Sequence, residues 1–326
     1  MLNIAIIGCG LIGDKRAQAL KGRATVLLCY DLNQEASQLF AGKHGGKSVN
    51  NPQVIFQDKS VQAVVIATRH DSLAPLAISA LKAAKDVFIE KPGGLNAEAL
   101  RELMDFDRLK SQHVHVGYNH RYHRGIRKAL DIVKFGGIGE ILFLRARYGH
   151  GGRIGYDKEW RADKEISGGG ELIDQGSHLL DLSLAFLGDI SLEYGATPTY
   201  YWDMPVEDNA FMIVKNGKGA IGFLHASCTE WKNTFSLEIY GQSGKLEVSG
   251  LGGSYGVEKL THYRMLPEMG PPETTVWEFP MQDDSWTVEI QEFISDIENQ
   301  TSNSENLADA TKVMTLIGEI YSRSDR

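Results

Sequence analysis

Leu2-Asn3-Ile4-Ala5-Ile6-Ile7-Gly8-Cys9-Gly10-Leu11-Ile12-Gly13 is the stretch that decides the fold. Leu2 to Ile7 is short, apolar and rich in Ile, which suits a buried parallel strand, and the pattern predicts a helix from Asp14 to Leu20. The glycines fill the turn between them. Gly8 allows a tight turn, Gly10 lets backbone approach a pyrophosphate, and Gly13 lets the helix pack closely on the strand. Backbone amides at the helix start, from Leu11 and Ile12 onward, then face phosphate charge. A second strand, Thr25 to Tyr30, ends at Asp31, whose carboxylate suits an adenosine ribose and repels a 2′-phosphate. The expected cofactor is therefore NAD, with NADP the alternative. A lone glycine fingerprint also arises in turns that bind nothing; here the strand before, the helix after and the acid at the next strand end support the binding reading.

Bulk composition excludes several classes. A chain of 326 residues suits about two domains. With 42% hydrophobic residues and a net charge of −8, it is neither a membrane span nor a nucleic-acid surface by composition. The N-terminus enters a strand at once, without a signal-peptide pattern, so a cytoplasmic location is the expectation. Cys9, Cys29 and Cys228 lack metal-ligand spacing and read as reduced thiols, so no metal is expected.

Alternation continues beyond Asp31. Helices are expected at Gln34 to Ala41, Asp71 to Ala84 and Asn96 to Lys110, and strands at Ala63 to Ala67, Val87 to Glu90 and Val114 to Tyr118. That is a doubly wound parallel sheet, a Rossmann-type domain over residues 1–119. Residues 120–326 change texture. A helix at Arg124 to Lys134 precedes a long strand from Gly139 to Tyr148. Turn pairs Asn216-Gly217 and Ser243-Gly244 separate Ala210 to Val214, Ala220 to Cys228, Phe235 to Tyr240 and Lys245 to Val248, which predicts an antiparallel meander. Helices at Asp284 to Asn299 and Glu305 to Ser322 close the chain, the last able to pack back on the first domain. The class is α/β, with an α+β second domain carrying a large, mostly antiparallel sheet. Phe211, Ile213, Ile221, Phe223, Leu237 and Ile239 are expected to form its apolar faces, against helices or against a second copy in a homodimer or homotetramer.

Two clusters carry chemistry. Glu90-Lys91-Pro92 lies at the carboxyl end of a parallel strand, where open α/β sheets bind ligands, and Pro92 biases Lys91 toward an extended conformation. An ammonium there can favour an ionised substrate hydroxyl, or it is a solvated loop lysine. The second cluster is Gly168-Gly169-Gly170-Glu171-Leu172-Ile173-Asp174-Gln175-Gly176-Ser177-His178, followed by Asp181. On an α-helix Asp174 and His178 lie about 40° apart at ~3.6 residues per turn, on one edge. A histidine there can take a proton from a secondary alcohol, with Asp174 orienting the imidazole or contacting a neighbouring sugar hydroxyl; the alternatives are a packed or capping His178 and a solvated or supporting Asp181.

In that order and spacing, these three motifs resemble the Gfo/Idh/MocA-type oxidoreductases, the group of glucose–fructose oxidoreductase, the inositol dehydrogenases and their sugar-oxidising relatives. The likeness covers essentially the whole chain and takes in Ala67-Thr68, Gly117-Tyr118-Asn119-His120-Arg121-Tyr122 and Trp160-Arg161. It implies that Lys91 and His178 are the catalytic pair with Asp174 beside them, and that Glu90 and Ala67-Thr68 line the nicotinamide half of the site. Asn119, Arg121, Tyr148, Arg153, Trp160 and Arg161, with Asp174 and His178, are the substrate residues it suggests. The loop Tyr148-Gly149-His150-Gly151-Gly152-Arg153 with Trp160-Arg161 is similar to members acting on nucleotide sugars, often at the third ring carbon. Arg153 and Arg161 can meet a diphosphate, and Trp160 can stack on a ring. An inositol or free-sugar dehydrogenase is served by the same constellation. A non-catalytic NAD sensor needs only the first domain's motifs.

Overall fold

A computed structural model describes residues 1–110, 112–301 and 304–324. The opening apolar run is β1 (Leu2–Ile7), followed by α1 (Leu11–Ala19), β2 (Ala24–Tyr30), α2 (Gln34–His44) and a two-residue β3 (Lys47–Ser48). Then come α3 (Pro52–Gln57), β4 (Ala63–Ile66), α4 (His70–Lys82), β5 (Asp86–Glu90), α5 (Ala97–Lys110) and β6 (Val114–Gly117). The strands form one parallel sheet in the order β3-β2-β1-β4-β5-β6. Strand order reverses at β1, so Gly8 sits at the switch point, where crossovers leave in opposite directions and a crevice opens at the carboxyl ends. Helix α1 starts at Leu11, earlier than the expected Asp14, because Gly10 already serves as its N-cap. The added α3 starts at a Pro, with Asn51 capping the Gln53 amide at 2.8 Å.

The second half contains α6 (Arg124–Lys134), β7 (Ile141–Gly149), α7 (Lys164–Ser167), a π-helical turn over Leu172–Gly176, α8 (Ser177–Leu187) and β8 (Ile190–Ala196). It continues with β9 (Asn209–Asn216), β10 (Ile221–Ser227), β11 (Thr234–Gly241), β12 (Gly244–Ser249), β13 (Glu258–Arg264) and β14 (Glu273–Phe279). These strands form an eight-stranded sheet ordered β14-β13-β12-β11-β7-β10-β9-β8. Both expected hairpins form, β9–β10 and β11–β12. The uninterrupted meander does not. β7 inserts between β10 and β11, parallel to the first and antiparallel to the second. No turn residue encodes that pairing, since its partners are far apart in sequence.

The sheet also corrects the expected apolar face. Leu237 and Ile239 are fully buried, as are Met212, Val214 and Leu224 within 1%, whereas Ile221 and Phe223 are 44% and 51% exposed. Side chains alternate along a strand, so one face of β9 and β10 takes Ala210, Met212 and Val214 with Leu224 and Ala226, and Ile213 and Phe223 pair on the other. Both alternating sets are apolar, so pattern alone cannot choose between them. Helix α8 contacts β7 and β10 and is buried almost throughout.

Two final helices complete the chain, α9 (Ser285–Asn299) and α10 (Ser304–Ser324). The chain divides into two compact units, the first of residues 1–119 with 286–312, the second of residues 120–285 with the rest of α10. Ile290, Phe293 and Ile294 of α9 thereby join Ile4, Ile6, Leu20, Phe40 and Phe88 in the first unit's core. Among the described residues no helix is long and apolar enough to cross a membrane.

Candidate active site

In the first unit the glycine turn has the geometry that its sequence requires. Gly8 has φ +98°, a region that side chains avoid, and a Cβ there would run into the Ala67 carbonyl. A Cβ on Gly13 would strike the Gly8 carbonyl, so α1 can pack this close only without one. Around Gly10 nothing lies within 4 Å of where a Cβ would be, and Gly10 itself is exposed. No side chain caps the amides at the start of α1, and Leu11 is 74% exposed beside them. An open turn with uncapped amides at a helix N-terminus fits a pyrophosphate. Asp31 accepts hydrogen bonds from the Cys9 amide at 2.8 Å and the Asn33 amide at 2.8 Å, which fixes its carboxylate beside the turn. Each carboxylate oxygen keeps a further lone pair for a ribose hydroxyl. The Ala67 amide bonds to Ile7 at 2.8 Å and so ties the Ala67-Thr68 turn to the end of β1.

Glu90 ends β5 and Lys91 follows it, with the Lys91–Pro92 peptide cis. Glu90 is buried and bonded at 2.6 Å to Arg16 of α1, whose other side meets Glu289 of α9, also at 2.6 Å. The fully buried Arg16 guanidinium lies over the Phe88 ring at 4.3 Å and the Trp286 ring at 4.4 Å. Burial pushes the Glu90 carboxyl above its ordinary range, against the pull of Arg16. Arg16 is pushed up, its two carboxylates outweighing its own desolvation. The triad clamps the helix that begins at the glycine turn to the strand end that carries Lys91, and neither Arg16 nor Glu289 had a local sequence signal.

In the second unit Asp174 lies in the π turn and His178 in the first turn of α8. The wider turn replaces the expected continuous α-helix, and π bulges of this kind recur at functional sites. Asp174 accepts from Arg161 Nε at 3.1 Å. His178 is buried, its ring centroid 3.8 Å from that of His120 and 5.9 Å from that of Tyr148. Asp181, 1% exposed, receives two hydrogen bonds from Arg121, at 2.8 and 2.6 Å. A buried carboxylate requires such a partner, and Arg121 is committed to it. His120 was legible only as part of the Gly117–Tyr122 segment, not as a site residue.

The remaining candidates sit in the loop after β7. Tyr148 is its penultimate strand residue, and burial, then the neighbouring Tyr255, pushes its phenol well up. Arg153 bonds Glu159 at 2.7 Å, and Arg161 lies 3.8 Å from the same carboxylate. Arg161 also sits 4.6 Å over the Trp160 ring. Behind them Glu171, fully buried, accepts from the Tyr156 hydroxyl at 2.7 Å, with His150 Nε2 at 3.6 Å. Burial first, and then the Asp174 charge, raises the Glu171 carboxyl to about 8. Burial holds His150 below its ordinary value. The two therefore meet as neutral groups, with His150 Nδ1 accepting from the Gly152 amide at 2.9 Å. Asn119 closes the first unit, buried just past β6. Thus Gly8 to Gly13, Asp31, Ala67-Thr68, Glu90, Lys91 and Asn119 belong to the first unit, and Arg121, Tyr148, Arg153, Trp160, Arg161, Asp174 and His178 to the second. Among the described residues no group of His, Cys, Asp or Glu is arranged to hold a metal ion.

Known proteins share this architecture. Residues 2–118 match the profile of an oxidoreductase family with an NAD-binding Rossmann fold, and residues 126–247 that of the Gfo/Idh/MocA C-terminal domain. The myo-inositol 2-dehydrogenase of Thermotoga maritima is 24% identical over 312 residues, covering 91% of this chain and 89% of that one. The D-glucoside 3-dehydrogenase of Escherichia coli is 27% identical over 264 residues, 74% of this chain and 72% of that one. A levoglucosan dehydrogenase solved in complex with NADH superposes with a TM-score of 0.89 at 21% identity, over 99% of this chain and 96% of that one. With both of its domains matched in order, the chain belongs to the Gfo/Idh/MocA family, NAD(P)-dependent oxidoreductases that act on CH–OH groups.

Proposed function

We infer that the chain is an NAD-dependent dehydrogenase of a ring secondary hydroxyl, its substrate a free sugar, glycoside or inositol. The observation that carries this reading is the buried His178, at the junction of the π turn and α8, with Asp174 one turn before it. His178 exchanges the hydroxyl proton, and Asp174, held by Arg161, orients a neighbouring hydroxyl or the imidazole. The family likeness gives Lys91 the role of stabilising the developing alkoxide charge. NAD, when bound on the glycine turn with its ribose at Asp31, supplies the hydride acceptor. The relatives that act on myo-inositol and D-glucosides support a single polyol ring as substrate.

A nucleotide sugar, oxidised or reduced at its third carbon, is the second reading. It requires Arg153 and Arg161 to meet a diphosphate. Both already face carboxylates, Glu159 and Asp174, which weakens it; the 65% exposed Arg153 side chain, able to exchange partners, keeps it in play. Cofactor absorbance during incubation with inositols, hexoses, glycosides and nucleotide sugars, with NAD and NADP in parallel, tests the assignment. Turnover of nucleotide sugars alone would move the second reading to first, and turnover of none would overturn both. The exposed Phe143, Ile221 and Phe223 on the outer sheet face support self-association as a homodimer or homotetramer, which sedimentation at micromolar concentration tests.

A further inference from the structure

A line of aromatic rings leads outward from the Glu171 end of the candidate site, all within the second unit. Tyr156, whose hydroxyl bonds Glu171, has its ring 5.6 Å from that of Trp202. Trp202 lies 5.3 Å from Tyr201, and Tyr201 4.6 Å from Trp231, the last two contacts almost perpendicular at 89° and 87°. The inner end is buried, Tyr156 at 4%, and the outer end is bare, Tyr201 at 61% and Trp231 at 65%. Each step is about the length of one pyranose ring.

Two further features separate this ledge from incidental surface aromatics. Trp231 has φ +56°, a left-handed conformation that costs a bulky side chain about 1–3 kcal/mol and that loops normally assign to Gly or Asn. Strained backbone of this kind recurs at ligand clamps, and the Trp231 indole, packed on Tyr201, leaves most of its surface to solvent. The facing loop is also fixed in advance. Asp208 accepts from the backbone amides of Tyr200, Tyr201 and Trp202 at 2.8, 2.7 and 3.0 Å, and the Trp202 indole donates to the Cys228 carbonyl at 3.0 Å. Burial of Asp208 opposes its ionisation, yet the Asn209 side chain and these amides hold its carboxyl below the usual range, so the anchor persists at neutral pH. A ledge ordered before binding loses little entropy when a ligand arrives.

Resting on the dehydrogenase reading above, we propose that Trp202, Tyr201 and Trp231 form a distal subsite that stacks the second ring of a glycoside whose first ring is oxidised at His178. The occupant is a sugar rather than a second copy of the chain for two reasons. The ledge begins one ring contact from Tyr156, whose hydroxyl bonds Glu171, three residues before Asp174. Its flat, polar-edged Tyr and Trp faces match the CH face of a pyranose, leaving the sugar hydroxyls in water. The enzyme is then selective for disaccharides or aryl glycosides over the matching monosaccharide, a preference that the chemistry at His178 alone does not supply.

The test compares glucose, methyl glucoside and cellobiose on the full-length enzyme with NAD, for the wild type, Trp231→Ala and the Tyr201→Ala/Trp231→Ala double variant. The wild-type ratio of kcat/KM for cellobiose over glucose should fall about tenfold in Trp231→Ala and further in the double variant, the size expected for loss of one good aromatic contact. Trp231→Phe should retain most of it. Saccharide binding read by saturation-transfer NMR gives a measure that needs no turnover. If cellobiose outbinds glucose and Trp231→Ala abolishes the difference while no sugar is oxidised, the subsite stands and the dehydrogenase assignment fails. If the ratio is unchanged in both variants, or the wild type shows no preference for the second ring, the subsite is overturned. A variant that alters only the sedimentation coefficient would assign the ledge to an interface between copies and overturn it equally.

Discussion

His120 and His178 lie ring on ring, their centroids 3.8 Å apart and their planes inclined by 31°. His120 comes from the turn after β6 and His178 from the start of α8, and Tyr148 packs against both, at 4.9 and 5.9 Å. A buried imidazole flanked on one face by another ring has little freedom to rotate, as a proton-transfer group requires. Replacing His178 with Asn should lower kcat by about 10²–10⁴-fold with KM for NAD little changed. His120→Ala should cost less, and His120→Phe should recover part of that loss by restoring the stack. Full turnover in His178→Asn with a verified substrate would remove His178 from the mechanism.

We propose that Asp31 sets cofactor choice. Asp31→Ser removes the charged acceptor proposed for the ribose and the repulsion expected against a 2′-phosphate, while a hydroxyl can still receive one of the two loop amides. A charge-assisted hydrogen bond is worth about 1.5–3 kcal/mol, so kcat/KM with NAD should fall about 10- to 100-fold and the ratio of NADP to NAD should rise. Parallel steady-state kinetics with both cofactors check it, and an unchanged ratio would dissociate Asp31 from the ribose.

Gly10 and Gly13 should separate binding from folding. A Cβ at Gly10 meets nothing within 4 Å, so Gly10→Ala should keep the wild-type Tm but weaken NAD binding by obstructing close approach of the pyrophosphate. Gly13→Ala places a methyl against the Gly8 carbonyl and should lower Tm. Thermal melts with and without NAD distinguish them. Equal NAD affinity in Gly10→Ala and the wild type would place the phosphates elsewhere.

Arg16 is the cation between two buried carboxylates, Glu90 and Glu289. Arg16→Met fills similar volume but takes the guanidinium from both carboxylates and leaves Glu289 only His115, at 3.8 Å, which should destabilise the fold by about 3–5 kcal/mol, measured by urea unfolding. The double change Arg16→Met/Glu289→Gln should recover part of the loss, since one uncompensated charge is gone. A loss under about 1 kcal/mol would mean that the carboxylates are neutral without Arg16.

Glu171 predicts a pH dependence of stability. Its carboxyl is raised in the folded chain to about 8 from an ordinary 4.5, chiefly by burial. The folded state therefore holds a proton that the unfolded state releases, and stability falls as pH rises from about 4.5 to about 8. Glu171→Gln keeps an acceptor for Tyr156 and cannot ionise. Its Tm should match the wild type near pH 5 and exceed it near pH 9. Parallel Tm–pH curves for the two proteins would show that Glu171 does not titrate in this window.

Local signals, read from sequence alone, determined the glycine turn and its flanking strand and helix, the acid at the end of β2, the Glu90-Lys91-Pro92 strand end, both hairpin turns and the membership of the family. Each is written in a few adjacent residues whose backbone or chemistry admits few alternatives. Tertiary structure decided the rest. β7 enters between β10 and β11 because strands distant in the chain pair there, and no turn specifies it. Met212 and Leu224 face the core rather than Ile213 and Phe223 because both alternating sets are apolar and only packing on one side breaks the tie. The strands expected from sequence do not include β8, β13 or β14; in β14 nearly every residue is polar or exposed, so hydrophobic pattern gives little warning of it. The sequence suggests Arg153 as a donor to a diphosphate and Arg121 as a substrate residue, but the fold sets Glu159 and Asp181 against them, and it gives Arg16 two carboxylates, on β5 and α9. A charged side chain is defined by its partner, and the partner's place is a property of the folded chain.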